Sequence, residues 1–461
     1  MSIPVGSPPA KAGLSCLDEQ LDFFDTPEVS YVRERIFDVV VPPITPILPT
    51  DKQISFYIPG SSYFLDLSHL MIEFELLLQT TDGNNVARGQ TARVASDGPP
   101  PVTARAYYGS CTVENSIATS LIKNIDFRVN NVSTNPTHGL YAQTHFLINT
   151  LSYSQEYRNN RLELAGYEDE ANFLSTEVSG RDRHAKSIVK TSNGQRLYVS
   201  TALLTPLTTQ KKYLANLCNV NIDITLNSDA FCLRTPITPP NFQLLVQSAV
   251  LNVRKVRLID SFVAKFEASL LKNPISYVVQ VINCKTFTLP ANILTFTQSD
   301  LFNSFLPSHC ILGLMEQDLA NGSFRGSPFS FSPNRVSSVH FNIEGQTYPS
   351  RVFKPNWAEG ANQNYSREYL ALFRGFSQWQ DVPLGISYER MKYFHALYSI
   401  SFDDDTTNCR DFIPVKKASV ANLQIDFVDN GNGVLKLFVF YFSTETIKLD
   451  SQRQLYKNFV M

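Results

Sequence analysis

The chain has 461 residues, of which 43% are hydrophobic and 18% charged, and 40 basic against 42 acidic side chains leave a net charge of −2. That length holds two or three domains, or two large all-β ones. The balanced charge gives no overall field for nucleic acid or a membrane surface, and 20 Gly plus 26 Pro are too few for a fibrous or disordered chain.

The aromatic content is 32 Phe and 20 Tyr against 2 Trp. Phe and Tyr suit half-buried sheets and subunit contacts. Seven cysteines (Cys16, Cys111, Cys218, Cys232, Cys284, Cys310, Cys409) include no CxxC pair, so free thiols in a reducing compartment are expected. The opening MSIPVGSPPAKAG lacks the apolar core of a signal peptide, and the run Leu437–Phe442 is too short to span a bilayer. A soluble chain made in the cytosol is expected, with the sequons at Asn131, Asn321 and Asn364 unused.

In chain order, residues 1–35 read as an N-terminal arm, with an acidic stretch Leu17–Glu34 around Phe23-Phe24. Ile36–Val41 reads as a strand stopped by Pro42-Pro43. Gln53–Leu78 reads as two strands parted by Pro59-Gly60. Ile54, Phe56 and Ile58 alternate with polar neighbours, as do Leu70, Ile72, Phe74, Leu76 and Leu78. Tyr63, Leu65 and Leu67 lie in the opposite phase, which predicts a bulge near Ser68-His69. Glu73 and Glu75 on the other face are expected to have basic or hydroxyl partners, with that face meeting a second domain.

Thr80–Gly109 reads as a long surface loop. Ile125, Phe127 and Val129 run as a strand into the Asn130-Asn131 turn. Asn135-Pro136 predicts a helix over about 136–151 with one apolar face. Strands follow near Arg196–Leu203, Val220–Leu226 and Phe242–Leu258, then a short helix Ser261–Lys272 that closes at Asn273-Pro274. In the second half, strands are predicted at Tyr277–Leu289, Cys310–Glu316, Val339–Ile343 and Leu397–Phe402, with a helix Tyr365–Phe376 striped by Tyr369, Leu372, Phe373 and Phe376. A hairpin is expected to close the chain, from Val420–Val428 through Asp429–Gly433 to Val434–Phe442. The last segment is apolar on both faces apart from Lys436, so burial on both sides follows. Each half repeats a strand, a turn, a Pro-containing loop and an aromatic-rich helix.

Catalytic patterns are sparse. There is no phosphate-binding glycine loop, and Gly431-Asn432-Gly433 lies between strands as a turn. The histidines (His69, His138, His145, His184, His309, His340, His395) show no metal-binding spacing, and His309 beside Cys310 lacks two further ligands. Gly109-Ser110-Cys111 has no nucleophile-elbow flanks. Asp403-Asp404-Asp405 lacks the Gly and Glu of a calcium loop and reads as a solvated turn. Arg254, Lys255 and Arg257 read as a solvated strand edge. No catalytic, cofactor-binding or metal-binding residue is assigned, and no cofactor.

Several blocks carry a family pattern: Leu21-Asp22-Phe23-Phe24 with Pro27; Ile58-Pro59-Gly60 and Leu65-Asp66-Leu67-Ser68; Asn115-Ser116; and Ile125-Asp126-Phe127. Others are Ile311-Leu312-Gly313, Asn321-Gly322-Ser323, Pro328-Phe329-Ser330-Phe331, Gly345-Gln346, and Thr444-Glu445-Thr446-Ile447 with Asp450 and Arg453. With these the chain resembles the double jelly-roll major capsid protein of Polinton (Maverick) elements and adintoviruses over about residues 20–455. Thr80–Gly109 does not align.

The resemblance implies an all-β fold of two side-by-side eight-stranded jelly rolls with short loop helices: a first jelly roll over 36–259, a linker helix over 260–274 and a second jelly roll over 275–461. It implies a non-enzymatic shell protein located in the virion and synthesised in the host cytoplasm. Homotrimeric capsomers would tile an icosahedral capsid with penton and minor capsid proteins, around double-stranded DNA enclosed without sequence-specific binding. Contacts between domains or subunits are expected from Val434–Phe442, the two loop helices and the arm. The alternatives are a two-domain β-sandwich carbohydrate-binding or glycoside-processing protein, and a host-domesticated copy of the capsid gene.

Overall fold

The computed structural model describes residues 32–48, 51–86, 91–94, 104–107, 111–135, 139–167, 193–235, 237–303, 305–358, 363–376, 386–402 and 418–458. The arm up to Tyr31, Cys16, Cys409, His138, His184 and the triad Asp403–Asp405 lie outside the described residues.

Eight strands of the first half form two facing sheets. They are β1 (Arg33–Val41), β2 (Gln53–Ile58), β3 (Phe64–Thr80), β4 (Ile122–Val129), β5 (Val132–Ser133), β6 (Arg196–Ala202), β7 (Val220–Leu226) and β8 (Phe242–Leu258). One sheet has the order β1-β8-β3-β6 and the other β2-β7-β4-β5. The second half supplies β9 (Ile275–Leu289), β10 (Thr295–Gln298), β11 (His309–Glu316), β12 (Val336–Ile343), β13 (Gln346–Phe353), β14 (Leu397–Ser401), β15 (Ala421–Phe427) and β16 (Leu435–Leu449). Its sheets run β9-β16-β11-β14, with Leu455–Asn458 added on β16, and β10-β15-β12-β13. The second order is the first shifted by eight. Each half is therefore a sandwich of two sheets with jelly-roll connections, four-stranded apart from the fifth strand added on β16.

Alternation explains the core. Ile54, Phe56 and Ile58 of β2, and Leu70, Ile72, Phe74, Leu76 and Leu78 of β3, are all buried. The bulge falls where the phase changes. Asp66 pairs with Arg254 and Met71 with Asn252, so four residues of β3 oppose one of β8. Asp66 holds the bulge, its Oδ1 accepting from the Ser68 Oγ at 2.6 Å. Phe64–Leu67 is buried on both faces, because helix α2 (Asp260–Leu270) covers the outside and Phe266 meets Phe64 edge-on at 5.2 Å. Asn130 and Asn131 sit at φ 47° and 67°, the left-handed pair that a tight hairpin turn requires.

Five expectations need correction. The chain does not close with a hairpin: β15 pairs with β10 and β12, whereas β16 pairs with β9 and β11, so Asp429–Gly433 crosses from one sheet to the facing one. Alternating apolar residues fit either arrangement, and only the ladder partners distinguish them. The helix expected from Pro136 begins five residues later, as α1 (Tyr141–Ser152). Asn135 does not cap it, since its carboxamide donates to the Ile125 carbonyl at 2.8 Å. Nor is α1 one-faced, for Gln143, Thr144, His145, Asn149 and Thr150 are buried along with the apolar residues.

The segment expected as a plain loop after Thr80 contains a two-stranded ribbon, Thr91–Val94 paired with Ala104–Tyr107. Strand β8 is interior rather than an edge, and β1 supplies its countercharges: Arg254 bonds Asp38 at 2.9 Å and Arg257 bonds Glu34 at 2.9 Å. Glu73 and Glu75 do not face the second half. Asn252 donates to Glu73 at 2.5 Å, and Arg196 and Tyr198 of β6 donate to Glu75, all within their own sheet.

Candidate assembly interface

The seam between the sandwiches is built from the segments that look over-apolar for a surface. Helix α1 lies in the connection from β5 to β6. Helix α3 (Ser366–Phe376) lies in the matching connection from β13 to β14. Both pack into one cluster, where Leu147 and Leu151 of α1 and Leu372 of α3 meet Phe438, Phe440 and Phe442 of β16. The other face of β16 turns Leu435, Leu437 and Val439 into the core of the second sandwich. The expected burial on both sides holds within β16, which serves two apolar clusters at once, but not for Val434 just before it, which is 43% exposed. The Phe376 side chain lies outside the described residues.

The Pro328–Phe331 segment crosses this seam. Phe329 stacks on Phe146 of α1, centroids 4.3 Å apart and planes 12° from parallel, with Phe231 edge-on at 6.0 Å. Phe331, two residues on, points to the other side and meets Phe438 at 5.7 Å. Gly313 on β11 makes room for that ring, because a Cβ there would lie 2.5 Å from the Phe331 Cδ1. Tyr277, Val279 and Val281 of β9, with Ile447 and Leu449 of β16 and Leu455 after it, extend the first sandwich's core from the far side.

Two polar groups lock the seam. Arg234 grips Glu114 with two hydrogen bonds of 2.6 Å, both side chains wholly buried, and Ser327 of the second half donates to Glu114 at 3.1 Å. A buried pair of this kind offsets its desolvation only through such full, bidentate satisfaction. Arg453, just before the last strand, reaches back to the first half. It donates to the carbonyl and the carboxamide oxygen of Asn216 at 2.9 and 2.8 Å, and to Glu267 of α2 at 2.5 Å. The Glu114–Arg234 pair was not legible in the chain, since the partners are 120 residues apart and neither sits in a motif. Arg453 was marked by its family pattern alone.

The outer surface carries unpartnered apolar groups. Val40 on the edge strand β1 is 59% exposed, and Ile44 and Leu48 after it are 61% and 60%. Tyr198, on the opposite edge strand β6, is 70% exposed. Exposed apolar side chains along sheet edges suit contacts between subunits.

Several side chains able to do chemistry are buried. Among the described residues no three His, Cys, Asp or Glu side chains gather into a metal-holding group. Burial pushes the imidazoles of His145 and His309 down to about 4, and His309 stacks on Phe442 at 4.2 Å. Cys111, Cys218, Cys232, Cys284 and Cys310 are free and buried, and burial raises each thiol above its ordinary range. Among the described residues no helix is long and apolar enough to cross a membrane.

No protein-family model matches the chain. An uncharacterised protein of Caenorhabditis elegans is 27% identical over 262 residues, which is 56% of this chain and 60% of that protein's length. Among solved structures, a chain of the Sputnik virophage is similar with a TM-score of 0.63 at 11% identity, covering 100% of this chain and 94% of its own. The mavirus major capsid protein gives 0.56 at 9% identity over 99% and 97% of the two chains, and the Faustovirus major capsid protein 0.53 at 8% over 92% of each. The fold is the double jelly roll of viral major capsid proteins. That fold accounts for both sandwiches.

Proposed function

We propose that this chain is a major capsid protein of the Polinton (Maverick) or adintovirus kind, a structural component of a virion rather than an enzyme. In this reading 36–259 and 275–461 are the two jelly rolls and 260–274 links them. Three copies form a capsomer with a pseudo-hexagonal outline, and capsomers tile an icosahedral shell with penton and minor capsid proteins. The shell encloses double-stranded DNA without reading its sequence, which agrees with a net charge of only −2.

One observation carries the proposal. The two-sandwich topology spans the chain from β1 to β16, and the similarity to the mavirus protein covers 99% of it. The exposed apolar edges then have an occupant, the neighbouring copy. Mass photometry over a range of concentration and salt, followed by negative-stain microscopy, tests it. Trimers and shell fragments are expected, and a strictly monomeric protein under all conditions overturns it.

A second reading is a capsid gene copy resident in an animal genome, favoured by the 27% identity to a nematode protein. The two are separated by particles purified from the source organism: nuclease-protected DNA in them supports an active virus, and its absence the resident copy.

A further inference from the structure

Lys436 is a half-buried cation on β16, where its ladder neighbours are Thr288 and Met315. Its ammonium has no carboxylate partner among the described residues, and burial pushes it below the usual lysine range. It lies 5.9 Å from the centroid of the Phe438 ring and donates to the Asn321 Oδ1 at 3.1 Å. A cation drawn partly out of water in this way is stabilised most by a countercharge.

Asn321 ends the one-turn helix Gln317–Asn321, is exposed, and is followed by Gly322. The seam dictates that glycine. A Cβ on Gly322 would lie 3.0 Å from the Phe231 backbone of the first half, and Gly322 sits at φ 101°. A side chain there would press the halves apart, so Asn321 precedes the one residue without a Cβ. The chain stays on the seam just beyond, where the Thr235 N–H donates to the Phe324 carbonyl at 2.9 Å.

An Asn-Gly step can react with itself. The Gly322 nitrogen bonds to the Asn321 Cγ, the Cγ–Nδ2 bond breaks, and ammonia leaves with the proton from the Gly322 N–H. The five-membered imide then takes up water at either carbonyl and opens to an aspartate or an isoaspartate. A side chain after Asn obstructs this closure, and glycine has none. Negative charge builds on Oδ1 as the ring closes, the atom that the Lys436 ammonium already contacts. A charged donor stabilises such an oxygen better than a neutral one. The Gly322 N–H is held by the Leu319 carbonyl at 3.1 Å, so closure waits for this last turn to open.

We propose that Asn321 is a self-modification site, deamidated through attack by Gly322 with Lys436 holding the reacting oxygen, and that the carboxylate formed pairs with Lys436. The chain thereby acquires with age a countercharge for the half-buried cation of β16. The new ion pair ties the start of the seam-crossing segment to that strand.

Peptide mapping by mass spectrometry, after prolonged incubation of the full chain in mildly alkaline buffer, tests this. Conversion of Asn321 to aspartate and isoaspartate is expected. Asn430-Gly431, an exposed Asn-Gly step in the Asp429–Gly433 crossing, is a reference within the same chain. Lys436→Met should slow conversion of Asn321 at least roughly threefold and leave that of Asn430 unchanged, and Lys436→Arg should restore it. A substitution that merely loosened the fold would do the reverse, since a freer Gly322 closes faster. Asn321→Asp should raise the melting temperature by about 1–3 °C, and only while Lys436 is present. Conversion of Asn430 without Asn321, or an equal or faster rate at Asn321 in Lys436→Met, overturns the proposal. So does a melting temperature unmoved by Asn321→Asp, or raised equally without Lys436. A covalent Lys436–Asn321 link, formed by attack of the lysine nitrogen instead, overturns it too.

Discussion

Phe146 and Phe329 lie 183 positions apart in the chain and stack with their ring centroids 4.3 Å apart. The ring from the second half is wholly buried in the first half's core cluster. Replacing it, Phe329→Ala, removes a fully enclosed aromatic from a seam with little freedom to collapse. The expected loss is about 3–5 kcal/mol, read from the shift of the urea midpoint at an unchanged slope.

The Glu114–Arg234 pair separates two kinds of substitution. Glu114→Gln leaves a buried guanidinium without its countercharge and should cost about 3–5 kcal/mol. Arg234→Met combined with Glu114→Leu removes both charges and should cost clearly less than the single change, because nothing charged is stranded. A double-mutant cycle on denaturation midpoints measures the difference.

Gly313 tests the packing of the family's Ile311-Leu312-Gly313 pattern. Gly313→Ala drives a Cβ into Phe331 and to 2.9 Å from Leu397, both fully enclosed, and should cost about 1–3 kcal/mol. Adding Phe331→Leu should recover part of the loss, as seen by thermal melting.

Acid should weaken the fold in a defined window. His145 and His309 titrate near 4 when folded, because burial disfavours the charged ring, against about 6.5 when unfolded. The unfolded chain therefore binds more protons between these values, and stability falls as the pH drops from 6.5 towards 4. Roughly 3 kcal/mol per histidine is at stake. Asp38 is held below its ordinary range by its hydrogen bond from Arg254, so the stability it adds is present above 3.8 and is lost only as the pH falls below that value. Replacing His309 by Phe should keep the stack on Phe442 and flatten the slope of stability between pH 6.5 and 4.

The exposed β1 edge offers a test of assembly apart from folding. Val40→Asp with Ile44→Asp should leave the melting temperature of the monomer within about 2 °C, since these side chains face solvent. The same pair should abolish the trimer proposed above, as read by mass photometry.

Sequence pattern made the strands legible wherever burial was one-sided, as in Ile54–Ile58 and Leu70–Leu78, because alternation records which face is covered. It also marked Leu437–Phe440 as doubly buried, though it included Val434, which is exposed. It could not say which strands pair. Asp429–Gly433 looks like a hairpin turn, yet it joins facing sheets, and the deciding hydrogen bonds involve β9 and β12, far away in the chain. Helix α1 was misjudged for a related reason: Gln143, His145 and Asn149 are polar by composition but buried by the seam, with Asn149 and His145 satisfying each other at 2.9 Å. Of the interface polar groups only Arg453 left a mark, through the family pattern, since an ion pair between Glu114 and Arg234 leaves no local trace.

The placement of Tyr277, Ile447, Leu449 and Leu455 in the first sandwich's core has a bearing on synthesis. A ribosome delivers β1 to β8 long before these side chains exist, so the leading half emerges with part of its apolar surface uncovered. The leading sandwich thus reaches its finished packing only after residue 455 has been made. Until then the nascent chain presents sticky surface to chaperones and to neighbouring polysomes.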